Sequence, residues 1–160
     1  MGSEMCIRDS CKAARRLNMR ADNFGIELDA HEDLLTGRGL RLAWRKVKSL
    51  RRGGLLVVQP PCKRWLCYAS RSISKRTFKD DAHAGRALRG TGNARDEETR
   101  MANRVAPRVA SLMWWALEHD IEVILEQPRG SLLQKYTPYR CVLASMRRHK
   151  TDGCMYGWSS

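Results

Sequence analysis

Leu55-Leu56-Val57-Val58-Gln59-Pro60-Pro61-Cys62 decides the fold: four apolar residues that stop on two prolines and a cysteine. The run follows Gly53-Gly54 without alternating, so it reads as a strand buried on both faces, the pattern of a parallel sheet. Neither Pro60 nor Pro61 can donate a ladder hydrogen bond. The chain must leave the sheet there, carrying Cys62 into the crevice beyond the strand's carboxyl end, where open α/β sheets hold their ligands. The plainer reading of Cys62 is a buried loop cysteine, since free cysteine packs as a small hydrophobe.

Upstream, Leu40, Ala43, Trp44, Val47 and Leu50 recur at three- and four-residue spacing and predict a helix over 38–50, introduced by Asp33, Thr36 and Gly37 and closed by Gly53-Gly54. Its other face carries Arg41, Arg45, Lys46 and Lys48. A strand over Phe24-Gly25-Ile26-Glu27-Leu28 precedes it, so 23–58 forms one strand-helix-strand unit with a right-handed crossover expected. Glu27 and Asp29 then stand where a doubly wound nucleotide fold sets the carboxylate that accepts ribose hydroxyls; a solvated strand-end acid is the alternative. Before that strand, Cys11 to Leu17 reads as a short basic helix stopped by Asn18.

Downstream, Asp96 or Thr99 can cap a long helix running to about His119, with a kink or break at Pro107. Trp114 and Trp115 read as core and rim packing. A second apolar strand, Ile121-Glu122-Val123-Ile124-Leu125, ends at Glu126-Gln127-Pro128, and a last helix is expected across 139–148 beyond Pro138. Between the halves, 63–96 reads as a long, basic, flexible loop. Lys63, Arg64, Arg71, Lys75 and Arg76 lie there with Trp65 and Tyr68, a mixture of cations and aromatics suited to a phosphate backbone and an unstacked base. A linker without a ligand is the alternative.

With 160 residues the chain has the length of one domain. Thirty basic against 17 acidic residues give a net charge of +13, which favours polyanions, nucleic acid first and an anionic membrane surface second. No apolar run approaches the ~20 residues of a membrane span. The six cysteines lack a signal-peptide pattern and a metal-ligand spacing, which points to reduced thiols in an intracellular compartment, the nucleus among them, with no metal. Residues 1–10 fit neither period; Met5-Cys6-Ile7-Arg8-Asp9-Ser10 resembles translated adapter sequence and is expected to be a non-native leader. The domain is expected over 11–150, with 151–160 as a tail.

Two strands that each end in a proline-bearing turn with a reactive side chain would bring Cys62 and Glu126 to one crevice. A thiolate nucleophile beside a proton-donating carboxyl suits covalent catalysis on an electron-poor ring, and Lys63 and Arg64 favour the thiolate. In Pro61-Cys62 after one strand and Glu126-Gln127-Pro128 after the next, residues 11–157 resemble the cytosine-5 DNA methyltransferases, in particular their shortened, divergent relatives. The resemblance implies a Rossmann-like, mostly parallel sheet flanked by helices. It implies that Cys62 attacks ring carbon 6 of a flipped cytosine and that Glu126 protonates ring nitrogen 3, with S-adenosylmethionine as methyl donor. It also implies cofactor contacts from Glu27, Asp33 and Pro60, and DNA ahead of RNA as partner. The family's Gly-x-Gly cofactor loop and first strand are expected upstream of residue 11, so the chain reads as a fragment of the fold. Gln127 stands where the family has Asn. Two alternatives remain open: an inactive Rossmann-like nucleic-acid-binding remnant, and an amino-methyltransferase-like domain, whose Pro-Pro turn carries an aromatic where this chain has Cys62.

Overall fold

The computed structural model describes residues 11–12, 14–16, 18, 20–22, 24, 29–65, 78–81, 85–88, 93, 95–128, 130–147 and 149. They form an α/β arrangement around a parallel pair of strands, β1 (Leu55–Val58) and β4 (Glu122–Leu125), with helices α1 (Gly37–Lys48), α2 (Glu97–Glu118) and α3 (Thr137–Ala144). Within 63–96, expected to be a flexible loop throughout, stand a 3-10 turn at Lys63–Trp65 and an antiparallel hairpin of β2 (Phe78–Asp81) and β3 (Gly85–Leu88). Its pairing rests on backbone hydrogen bonds, which polar sequence neither announces nor forbids. The expected strand over 24–28 falls mostly outside the described residues. The described residues of 11–16 are helical, and Asn18 ends them at φ 56°, its N–H donating to the Arg15 carbonyl at 3.0 Å.

Helix α1 starts where the sequence says, because the Thr36 hydroxyl accepts from the Gly39 N–H at 2.9 Å and caps the first turn. Gly39, Ala43 and Val47 are buried on its inner face. Glycine at 39 is required by close approach: a Cβ there would lie 2.0 Å from the Asp33 carbonyl oxygen. After the helix, Gly53 takes φ 72°, and its N–H donates to the Asp120 carbonyl at 2.7 Å, while the Gly54 carbonyl accepts from Glu122 at 2.8 Å. The turns leading into β1 and β4 are thus bonded before the strands begin. That fixes the register, Leu55 opposite Glu122 and Val58 opposite Leu125.

Helix α2 serves two cores. Val109, Ala110 and Met113 pack with Trp65, Leu133, Tyr139 and Val142, and Leu112 and Ala116 pack with Ala43, Val47 and Ile121. Its Asp96 cap accepts from the Thr99 N–H at 2.9 Å. The Thr99 hydroxyl also donates to that carboxylate and holds it below its ordinary value of 3.8, helped by the nearby Arg64 and Lys63 charges. The helix runs unbroken through Pro107, so of the expected kink or break the break does not occur. Proline removes one ladder donor, a loss that burial of Ala106, Val109 and Ala110 on either side offsets. Pro138 lies inside the first turn of α3, where a missing N–H costs nothing, so the last helix begins earlier than expected.

One expectation about the sheet is corrected. Leu56, Val58, Val123 and Leu125 face the cores, but Leu55, Val57 and Ile124 are 42%, 44% and 51% exposed. β1 is buried on one face only. An apolar run shows that both faces avoid charge, and covering the second face takes a further packed element.

Candidate active site at the strand ends

Because β1 and β4 are neighbours and parallel, both carboxyl ends open at the same end of the sheet. The ladder continues one step beyond it, the Glu126 N–H donating to the Val58 carbonyl at 3.0 Å. Gln59 and Glu126 follow in register, and the Gln59 amide donates to the Glu126 carboxylate. One residue on, Gln127 Nε2 donates to the Pro60 carbonyl at 2.9 Å, and Gln127 Oε1 accepts from the Ser131 hydroxyl at 2.9 Å. The turn carrying the nucleophile candidate and the turn carrying the acid candidate are tied by two glutamine side chains.

Cys62 is half-buried and Glu126 exposed. The Cys62 carbonyl accepts from the Trp65 N–H at 2.8 Å, and the Trp65 carbonyl accepts from the Leu132 N–H at 2.6 Å. Trp65 is 1% exposed and packs against Tyr136 with the rings tilted by 38° and their centroids 5.1 Å apart. It anchors the Cys62 turn in the core, which removes it from the aromatics expected to meet a base. Arg64 is held in place in the same region. Its guanidinium reaches Asp96 at 3.1 Å and Glu98 at 2.9 Å with 11% of the side chain exposed, so it pins the turn to the start of α2. Lys63 is 70% exposed, and its ammonium lies 3.3 Å from Glu98. The two cations beside Cys62 therefore stand among carboxylates that the sequence places more than thirty residues away.

The cofactor candidates are also located. Asp33 Oδ1 accepts from the Leu35 N–H at 2.8 Å, closing the turn before α1. Pro60 is buried and its carbonyl is taken by Gln127. One carboxylate oxygen of Asp33 and the carbonyl of Pro60 are thus engaged within the chain. Glu27, Arg71, Lys75 and Arg76 lie outside the described residues. Among the described residues, no three His, Cys, Asp or Glu gather to hold a metal ion, and no helix is long and apolar enough to cross a membrane. Gln59, Gln127 and Ser131 are the site residues that sequence reasoning missed. The visible signal was an amide next to each proline turn, at Gln59 and Gln127.

No protein-family model, curated protein or solved structure matches the chain.

Proposed function

We propose that Cys62 and Glu126 are the nucleophile and acid of a cytosine-5 methyltransferase-type site acting on nucleic acid, with β1 and β4 as adjacent strands of a Rossmann-like sheet. One observation carries this reading: the parallel register that sets the Pro-Pro-Cys turn beside the Glu-Gln-Pro turn, stitched by Gln59 and Gln127. The Cys62 sulfur would add to carbon 6 of the pyrimidine while Glu126 gives a proton to nitrogen 3, leaving carbon 5 as an enamine carbon. S-adenosylmethionine is the methyl donor the resemblance implies.

The addition step can be tested without the cofactor. In heavy water, the enamine carbon takes up a deuteron; loss of the original proton from carbon 5 and of the thiolate from carbon 6 returns cytosine labelled at carbon 5. A single-stranded oligonucleotide containing cytosine should gain deuterium in the presence of the protein, read by mass spectrometry of the nucleosides. Cys62→Ser should abolish the exchange and Glu126→Gln should slow it by about 10²–10⁴-fold, the ordinary range for general acid catalysis. Exchange no faster than with a free thiol, or unchanged in Cys62→Ser, overturns the reading.

A further inference from the structure

Cations and indoles gather at the far end of α2 from Cys62. Trp114 lies eighteen residues along that helix from Asp96, about 27 Å at the α-helical rise. A groove of about 360 Å³ crosses α2 there between α1 and α3, lined by Trp44, Ser111, Trp114, Trp115, Glu118 and Cys141. Trp115 stacks on His119 at 3.8 Å and meets Trp44 edge-on at 6.3 Å, so both rings are held. Trp114 is 42% exposed and makes no ring contact among the described residues.

Trp44 is the α1 residue that lines the groove, and Arg41 and Lys48, three before it and four after it, lie on the same side of that helix. Beyond Gly37, every exposed residue of α1 is basic: Arg38, Arg41, Arg45 and Lys48. Lys46 meets Glu32 and Asp22, and Arg52 meets Asp120, but these four meet no carboxylate among the described residues. Lys48 holds its ammonium 5.6 Å from the Trp44 ring and 6.0 Å from the Trp115 ring, at the groove's edge. Arg41 and Lys48 lie seven residues apart, about 10.5 Å along the helix, the reach of two to three phosphates of one strand.

We propose that this surface binds single-stranded nucleic acid, with phosphates on Arg41, Arg45 and Lys48 and one unpaired base against Trp114. Charge selects the partner: four unneutralised cations repel a cationic peptide and attract a polyanion. Stable seating on an anionic membrane takes a broad apolar face among the cations, and Trp114 is the one exposed large hydrophobic residue among the described residues lining the groove. The exposed indole selects the single strand, because bases inside a duplex are already stacked. Glu118 lines the same groove, and a carboxylate can accept from the exocyclic amine of a base. The site lies away from Cys62 and uses none of its chemistry.

The test is fluorescence anisotropy with a labelled oligo-dC of twenty nucleotides, run with the full chain at several salt concentrations. Reversing Arg41, Arg45 and Lys48 to Glu should weaken binding more than tenfold and flatten the slope of log affinity against log salt by about 2, at ~0.7 per phosphate contact on a single strand. Trp114→Ala should weaken binding by about tenfold and leave that slope unchanged, and Trp114→Phe should restore most of the loss. Wild-type affinity in the charge-reversed protein or in Trp114→Ala overturns the proposal. So does equal competition by phosphatidylserine vesicles or by duplex of the same length.

Discussion

Gln127 Nε2 lies 2.9 Å from the carbonyl oxygen of Pro60, so one side chain joins the turn that carries Cys62 to the turn that carries Glu126. Pro60 is buried, and its carbonyl can recover that bond only by letting water in. Gln127→Leu, close in volume, should cost about 1–3 kcal/mol in urea denaturation, the range for stranding a buried polar group. Gln127→Asn is one methylene shorter and should recover little of the loss. If the leucine variant melts like the wild type, the tie holds nothing.

Gly39 sets two effects against each other. In an exposed helix, alanine would gain roughly 1 kcal/mol over glycine. Here the new methyl would stand 2.0 Å from the Asp33 carbonyl oxygen, a backbone atom that also accepts from the Thr36 N–H at 3.1 Å and the Thr36 hydroxyl at 2.9 Å. Overpacking should win, and Gly39→Ala should destabilise by about 1–3 kcal/mol. A raised melting temperature would mean that the Asp33 turn yields easily.

Which parts of this arrangement the sequence discloses follows from the range of each interaction. The Thr36 cap, the α1 stripe, the stop at Pro60-Pro61 and the Asp96 cap all act within a turn or two, so residue type and spacing suffice. The pairing of β1 with β4 is non-local, yet two short apolar runs ending in similar turns leave few other arrangements. What escaped reading depends on partners distant in sequence. Arg64 looks like a free cation until Asp96 and Glu98 stand beside it, and Trp65 looks like a surface aromatic until Leu132, Leu133 and Tyr139 enclose it. The carboxylate of Asp33, to which the resemblance gives a cofactor contact, also takes a bond from only two residues away, the N–H of Leu35.

The one-sided burial of β1 makes neighbouring positions differ. Val57 is 44% exposed, so Val57→Thr should change stability by no more than about 0.5 kcal/mol. Leu56 packs against Ala116 and Ile121 on the core side, and Leu56→Ala should cost about 1–2 kcal/mol, a part-buried share of the usual leucine truncation. Denaturation midpoints for the pair read the difference directly. Equal losses at both positions would restore a strand covered on two faces.

A 3-10 turn at Ala30–Glu32, ahead of α1, is fastened to that helix by Lys46, whose ammonium lies 2.8 Å from Glu32 and 3.2 Å from Asp22. Burial pulls the Lys46 pKa down, but its hydrogen bonds to Glu32 and Asp22 outweigh that and leave it above the ordinary 10.5. A raised folded value gives stability that is full below 10.5 and is lost as the pH climbs through the higher value. Lys46→Met should flatten the alkaline limb of a stability profile. It should also cost about 1–3 kcal/mol at neutral pH by taking the ammonium away from the buried Glu32 carboxylate. Adding Glu32→Gln should return part of that; a double variant no better than Lys46→Met would show that the pair is not coupled.

Tyr139 is fully buried among Trp65, Leu133 and Val142, and its hydroxyl finds no hydrogen-bond partner among the described residues. Burial, with a smaller push from Tyr136, raises its ionisation far above the ordinary 10.0, so the group stays neutral across the working range. The ring fills the core, and the hydroxyl adds only a desolvated oxygen. Tyr139→Phe keeps the ring and removes the oxygen, so stability should hold or rise by up to about 1 kcal/mol. Tyr139→Ala empties the same volume and should cost about 3–5 kcal/mol, as aromatic truncations in cores do. Phenylalanine that destabilised by more than 1 kcal/mol would reveal a bond to the hydroxyl, and the core around Trp65 would then have a polar member that also holds the Cys62 turn.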